Sequence, residues 1–136
     1  MSKTSDVVTR AWQLIEAQDF ARFEEVLSPH LEFRMGSDTL RGLREFQAMC
    51  QGWWSAFPDL GHEITSSIDS GDTYACELQL SGTHTGTMRT PKGDLPATGR
   101  KIRMGSCDYI VVKDGKIVTW HAYPDMVGLL GQLGTA

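Results

Sequence analysis

From Gly99 to Lys113 the chain alternates with a period of two, the pattern of a β-strand with one buried face. One face reads Ile102, Met104, Ser106, Asp108, Ile110 and Val112, and the other reads Lys101, Arg103, Gly105, Cys107, Tyr109 and Val111. The first is the inward face, and it carries a carboxyl group among aliphatic side chains. Burial disfavours the charged form, so such a group is costly unless it is paired or performs chemistry. Asp108 is therefore the candidate general acid or base. The plainer reading is a carboxylate that caps a backbone or meets an arginine. Lys101 and Arg103 lie on the opposite face, which favours chemistry.

Three further groups of residues bear on a site. In residues 73–85, Cys76, Leu78, Leu80 and His84 share a face opposite Ala75, Glu77, Gln79 and Ser81. His84, at the end of that row, is either a hydrogen-bonded structural histidine or the partner that holds the Asp108 carboxyl and polarises a carbonyl oxygen. In residues 116–123, Val118, Trp120 and Ala122 alternate with Ile117, Thr119, His121 and Tyr123, which makes Trp120 a wall of any cavity. Trp12, Trp53 and Trp54, together with Phe33, Met35, Met104 and Trp120, supply more wide, flat surface than a small core needs. With Ser106 and Ala122 beside them, they are expected to line a pocket for a hydrophobic, ring-bearing small molecule.

The elements that must position these residues begin with helices. Val8, Ala11, Trp12 and Ile15 mark a first amphipathic helix, with Thr4 or Ser5 available as its cap and Gln18-Asp19 as its end. A short second helix is expected from Phe20 to Leu27, stopped by Ser28-Pro29, and a strand over residues 31–35 follows. A third helix starts near Gly42 and aligns Phe46, Met49, Cys50, Trp53 and Phe57 in one apolar stripe. Alternating stretches at 61–69, 73–85, 99–113 and 116–123 follow, joined by turns such as Ser70-Gly71-Asp72 and Asp114-Gly115, and residues 126–133 close the chain with a short helix. Helices first and a meander after them imply an α+β fold. Residues 88–98 form the one conspicuous loop, read as a connector or a gate.

With 136 residues, the chain matches one domain over 1–136. Cys50, Cys76 and Cys107 form neither a CxxC pair nor a His/Cys cluster, so reduced thiols in a cytoplasm are expected. Glu63 beside His62 and Asp125 near His121 are too isolated to define a metal site, and no nucleotide-binding, zinc-protease or nucleophile-elbow motif occurs. No metal and no cofactor is implied. A net charge of −4 without a basic stripe argues against nucleic acid, and no apolar run is long enough to span a bilayer. The outer face, with Cys107, Tyr109, Val111, Ile117 and Tyr123, is too apolar for exposure, which predicts a homodimer through it.

Six short motifs point further: Ala56-Phe57-Pro58-Asp59-Leu60, Gly82-Thr83-His84-Thr85-Gly86, Thr98-Gly99-Arg100, Asp114-Gly115-Lys116-Ile117, Pro124-Asp125, and Gly131-Gln132-Leu133-Gly134. In this order and spacing, from Val7 to Leu133, the chain resembles the SnoaL-like polyketide cyclases. The resemblance implies the nuclear transport factor type of fold, a cone-shaped barrel of curved antiparallel sheet with N-terminal helices packed on its concave face. It also implies cofactor-free aldol ring closure of aromatic polyketides by an aspartate two positions before the Pro-Asp. That position is Ala122 here, and an inward position that is histidine in the cyclases is Asp108. Relatives that hydroxylate polyketides beside a partner reductase offer a second reading, and a non-catalytic binding module of the same fold a third.

Overall fold

The computed structural model describes residues 2–135. Helix α1, Lys3–Glu16, is capped at Ser2, whose hydroxyl accepts the Ser5 backbone N–H while Ser5 reaches back to the Ser2 backbone. The cap thus lies before Thr4 and Ser5, and Ser5 serves as the third residue of a capping box. Val8, Ala11, Trp12 and Ile15 are all buried, as the periodicity requires. A 3₁₀-helix, Phe20–Glu25, replaces the predicted second helix. It stops early because Leu27 is drawn into strand β1, Leu27–Met35, where the Ile117 N–H bonds to the Val26 carbonyl.

After β1 come the short strand β2, Asp38–Arg41, and helix α2, Gly42–Ala56. Strands β3, Gly61–Ser70, and β4, Thr73–Thr83, form a hairpin. Residues 88–98 contain a small second hairpin, β5, Met88–Thr90, with β6, Gly93–Leu95. The chain ends with β7, Lys101–Lys113, β8, Lys116–Pro124, and helix α3, Met126–Gln132.

The main sheet runs β2-β1-β8-β7-β4-β3, and α1 and α2 pack on its inner face. It is mixed, not wholly antiparallel, because β1 pairs with β8 in parallel. Turn residues announce hairpins only; a parallel pair closed by most of the chain leaves no local signal. A second departure lies in β8. Val111 pairs with Thr119 but Val112 with Ile117, so an extra residue bulges at Val118 and the phase reverses. Ile117, expected outside, is completely buried in the core.

Two of the motifs have a physical reason here. Phe57 ends α2, and the Asp59 carboxylate then accepts the Thr83 backbone N–H at 2.7 Å and the Thr83 hydroxyl at 2.8 Å, fastening the end of β4 to the turn. Gly86 passes so close to α2 that a Cβ there would lie 1.9 Å from the Ser55 carbonyl oxygen. These hydrogen bonds hold the Asp59 pKa below its ordinary value. A depressed carboxylate stabilises the fold above its unfolded pKa of about 3.9 and loses that contribution as pH falls through the lower folded value. Asp59→Asn should therefore melt at a lower temperature than wild type at pH 7, and the gap should close in strong acid. Thermal melts across the acid range check this.

Candidate functional site

The sheet register assembles the site in two neighbouring rows. Met35 of β1 pairs with Ala122 of β8, Ala122 with Asp108 of β7, and Asp108 with Cys76 of β4. The next row runs Phe33, Trp120, Ile110, Tyr74 through the same strands. Paired residues share a face, so the carboxyl group of Asp108 enters the interior beside the methyl of Ala122. From the adjacent row the Trp120 indole Nε1–H donates to Asp108 Oδ2 at 2.9 Å, and the Ser106 hydroxyl donates to Oδ1 at 2.6 Å. Asp108 is 4% exposed, and it meets neither an arginine nor a backbone N–H among the described residues.

Burial is the main influence on this carboxyl and raises its pKa; the two hydrogen bonds from Ser106 and Trp120 pull it back in part. The group is thus moved toward neutrality, the range in which a carboxylate both accepts and releases protons.

A cavity of about 70 Å³ opens in front of it. Its wall holds Trp12, Phe33, Met35, Trp53 and Trp54, and on the sheet side Met104, Ser106, Asp108, Trp120 and Ala122. All of these are residues that strand phase and aromatic content single out. Phe46, Met49, Cys50, Leu60 and Leu80 also belong to the wall. The α2 stripe contained the signal for three of them, but periodicity does not distinguish packing from lining. Met35, Met49 and Trp53 also border a larger groove of about 760 Å³, which runs between α2 and the β5-β6 hairpin and includes Met88, Arg89 and Asp94. The loop over 88–98 is therefore more than a connector: its hairpin forms one bank of the groove that leads to the cavity. Small-molecule pockets occupy roughly 300–1,000 Å³, more than the cavity of about 70 Å³ alone and within the range of the groove that shares Met35, Met49 and Trp53 with it.

His84 is not part of this arrangement. It lies eight residues beyond Cys76, the partner of Asp108, roughly 26 Å along an extended chain. Its Nδ1 accepts the Thr98 backbone N–H at 3.2 Å, its backbone bonds to Gly99 and Arg100, and its ring packs on Phe57 with centroids 5.2 Å apart. Burial lowers its pKa, which keeps the ring neutral. The expected pairing with Asp108 is corrected on this geometry: strand phase gave the right face but not the position along the strand.

Two other histidines find carboxylates that the sequence did not suggest. His62 bonds to Glu16, not Glu63, and His121 Nε2 lies 2.9 Å from Glu32. Asp125 caps α3 through Gly128. Cys50 and Cys76 are buried thiols, each pushed up to about 12, and so inert as nucleophiles. Among the described residues no three His, Cys, Asp or Glu side chains converge as metal ligands, and no helix is long and apolar enough to cross a membrane.

The SnoaL-like polyketide cyclase family model matches residues 5–133. The chain belongs to this family. Aklanonic acid methyl ester cyclase DnrD of Streptomyces peucetius is 30% identical, over 98% of this chain and 92% of that protein. The cyclase DauD of Streptomyces sp. strain C5, with the same activity in its name, is 32% identical over 98% and 83%. A crystal structure from Jannaschia sp. CCS1 superposes with a TM-score of 0.87 at 17% identity, covering 98% of this chain and 93% of that one, which establishes the fold.

Ala122 and Asp108 are direct cross-strand partners, so a carboxyl group at either position projects into the same part of the interior. A raised carboxyl pKa makes the native state hold a proton that the unfolded chain has lost, so stability falls as pH rises from the unfolded pKa of about 3.9 toward the folded one. Asp108→Asn keeps the shape without that cost. It should melt higher than wild type at pH 7, with the difference vanishing below about pH 3.9, as scanning calorimetry at the two pH values would show.

Proposed function

We propose that this chain closes a ring of an aromatic polyketide by intramolecular aldol chemistry, with Asp108 as general base and no cofactor. The observation that carries the reading is a buried carboxyl group, hydrogen-bonded but without a cationic partner among the described residues, in the wall of an aromatic-lined cavity. Relatives at about 30% identity that bear the name of a polyketide cyclase support the substrate class.

In this mechanism Asp108 takes a proton from a carbon flanked by carbonyl groups. The electron pair left on that carbon forms the new C–C bond to a carbonyl carbon of the same molecule, and the carbonyl oxygen becomes a hydroxyl on receiving the proton back. Ser106 and Trp120 each hold one oxygen of the carboxyl, which fixes its plane beside the cavity. The apolar wall excludes water, which would otherwise quench the carbanion. Asp108→Asn should reduce turnover of aklanonic acid methyl ester about a hundredfold or more while leaving its binding nearly unchanged. Stopped-flow kinetics and a binding titration on the same variant check this, and full activity of Asp108→Asn removes the assignment.

The alanine at 122 favours a second reading, hydroxylation of a polyketide beside a partner reductase. Oxygen incorporation with a reductase and NADPH, and no ring closure alone, would select it. A chain that binds the ester but turns it over under neither condition is a binding module.

We further propose that two copies join through the outer sheet face. Ile117 does not contribute, but Ile68 does: it pairs through Ala75 with Tyr109, is 75% exposed, and carries the outer apolar face beyond Tyr109 to the β3 edge. Sedimentation at tens of micromolar should give a dimer for wild type and a monomer for Tyr109→Glu. A monomeric wild type overturns this.

A further inference from the structure

Two indoles meet edge to face inside the cavity wall. Trp12 of α1 and Trp120 of β8 have ring centroids 5.5 Å apart and planes at 73°. Their N–H groups have different fates. Trp120 gives its proton to Asp108 at 2.9 Å, whereas the Nε1 of Trp12 is buried without a partner among the described residues. Trp12 is only 7% exposed, and a buried donor of this kind is seldom left unpaired in a folded protein.

The ring that carries this donor is held on two sides. His62 stacks on it at 4.2 Å with planes 14° apart. The Glu16 carboxylate in turn accepts the His62 backbone N–H at 2.9 Å and bonds to its ring Nδ1. Glu16 follows Trp12 by one helical turn, so a single face of α1 presents both the indole and the carboxylate that clamps the ring lying on it. Trp120 closes the other side. The result is an indole fixed in the wall of a largely apolar cavity that also holds Ser106 and Asp108, with its N–H buried and without a protein partner among the described residues.

We propose that the Trp12 indole N–H donates a hydrogen bond to a ketone or quinone oxygen of the bound ligand, and that Glu16 and His62 position it to do so. The inference rests on the reading that the cavity takes an oxygenated ring system; it does not depend on the aldol step. Where that step occurs, the oxygen gains negative charge as the neighbouring carbon loses its proton to Asp108. A hydrogen bond to the charged oxygen is stronger than one to the ketone, so the donor would favour the enolate over the ground state.

The test uses the full chain labelled with ¹⁵N-tryptophan and two probes of the same three-ring outline, anthraquinone and anthracene. The Trp12 indole resonance is the one missing from Trp12→Phe, or, should that variant not fold, the one with a nuclear Overhauser effect to the His62 ring. Anthraquinone should move this resonance downfield and anthracene should not. Trp12→Phe should weaken anthraquinone about tenfold more than it weakens anthracene, the scale of one neutral hydrogen bond. A Trp12 resonance that stays in place under saturating anthraquinone overturns the proposal, and shows the N–H resting on the face of Trp120 instead. Equal losses for both probes also overturn it, and failure of both to bind wild type overturns it together with the ring-ligand reading. A chain that shows the shift but closes no ring removes the aldol mechanism alone.

Discussion

Taking a carboxyl group out of water raises its free energy unless donors replace the solvent, and the site is built around that constraint at Asp108. Two donors, the Ser106 hydroxyl and the Trp120 indole, face its two oxygens. Neither carries charge. A lysine or arginine in their place would pin the group as a carboxylate and hold its pKa low, whereas neutral donors stabilise the anion without abolishing the protonated form. The aromatic residues follow from the same requirement. Trp120 serves at once as wall and as donor, and Phe33, Phe46 and Trp12 pack around its ring, so the donor cannot turn away.

The helices matter to the site because the sheet supplies only one side of it. Helix α2 brings Phe46, Cys50 and Trp54 over the sheet, and Trp53 at its edge reaches both cavity and groove. The turn that ends α2 is tied to β4 through Asp59, and Gly86 lets the next segment pass against the helix backbone. These contacts lie away from Asp108, yet they set the distance between α2 and the sheet and hence the height of the cavity. Sequence motifs that look incidental are the fasteners of the lid side.

What the sequence revealed depends on how local the signal is. The inward row of β7 was legible because a period of two needs no knowledge of partners, and the burial of Ile102, Met104, Asp108, Ile110 and Val112 follows it. Ile117 was not legible, since a bulge in β8 reverses phase without any glycine or proline to mark it. The parallel pairing of β1 with β8 joins segments far apart in the chain. His84 shows a different failure. It sits on the correct face, but distance along a strand is as important as face, and only the register with β7 separates it from Asp108. The clamp of Glu16 on His62 likewise requires knowing which helix lies over which strand.

Register also relates the two inward positions 108 and 122 to each other. Directly paired residues of an antiparallel sheet place their Cβ atoms about 4.5–5.5 Å apart on one face, so moving an acid from position 122 to position 108 shifts its oxygens by roughly the width of one strand. Both positions belong to the same wall of the cavity. Their local environments differ more than their locations do. At 108 the carboxyl lies within reach of Ser106 on its own strand and of Trp120 on the next, with the methyl of Ala122 beside it. An acid restored at 122 beside Asp108 would put two carboxyls within a few ångströms in a medium that disfavours charge, and one of them would hold its proton. With alanine at 122, no second carboxyl faces Asp108 across that pair.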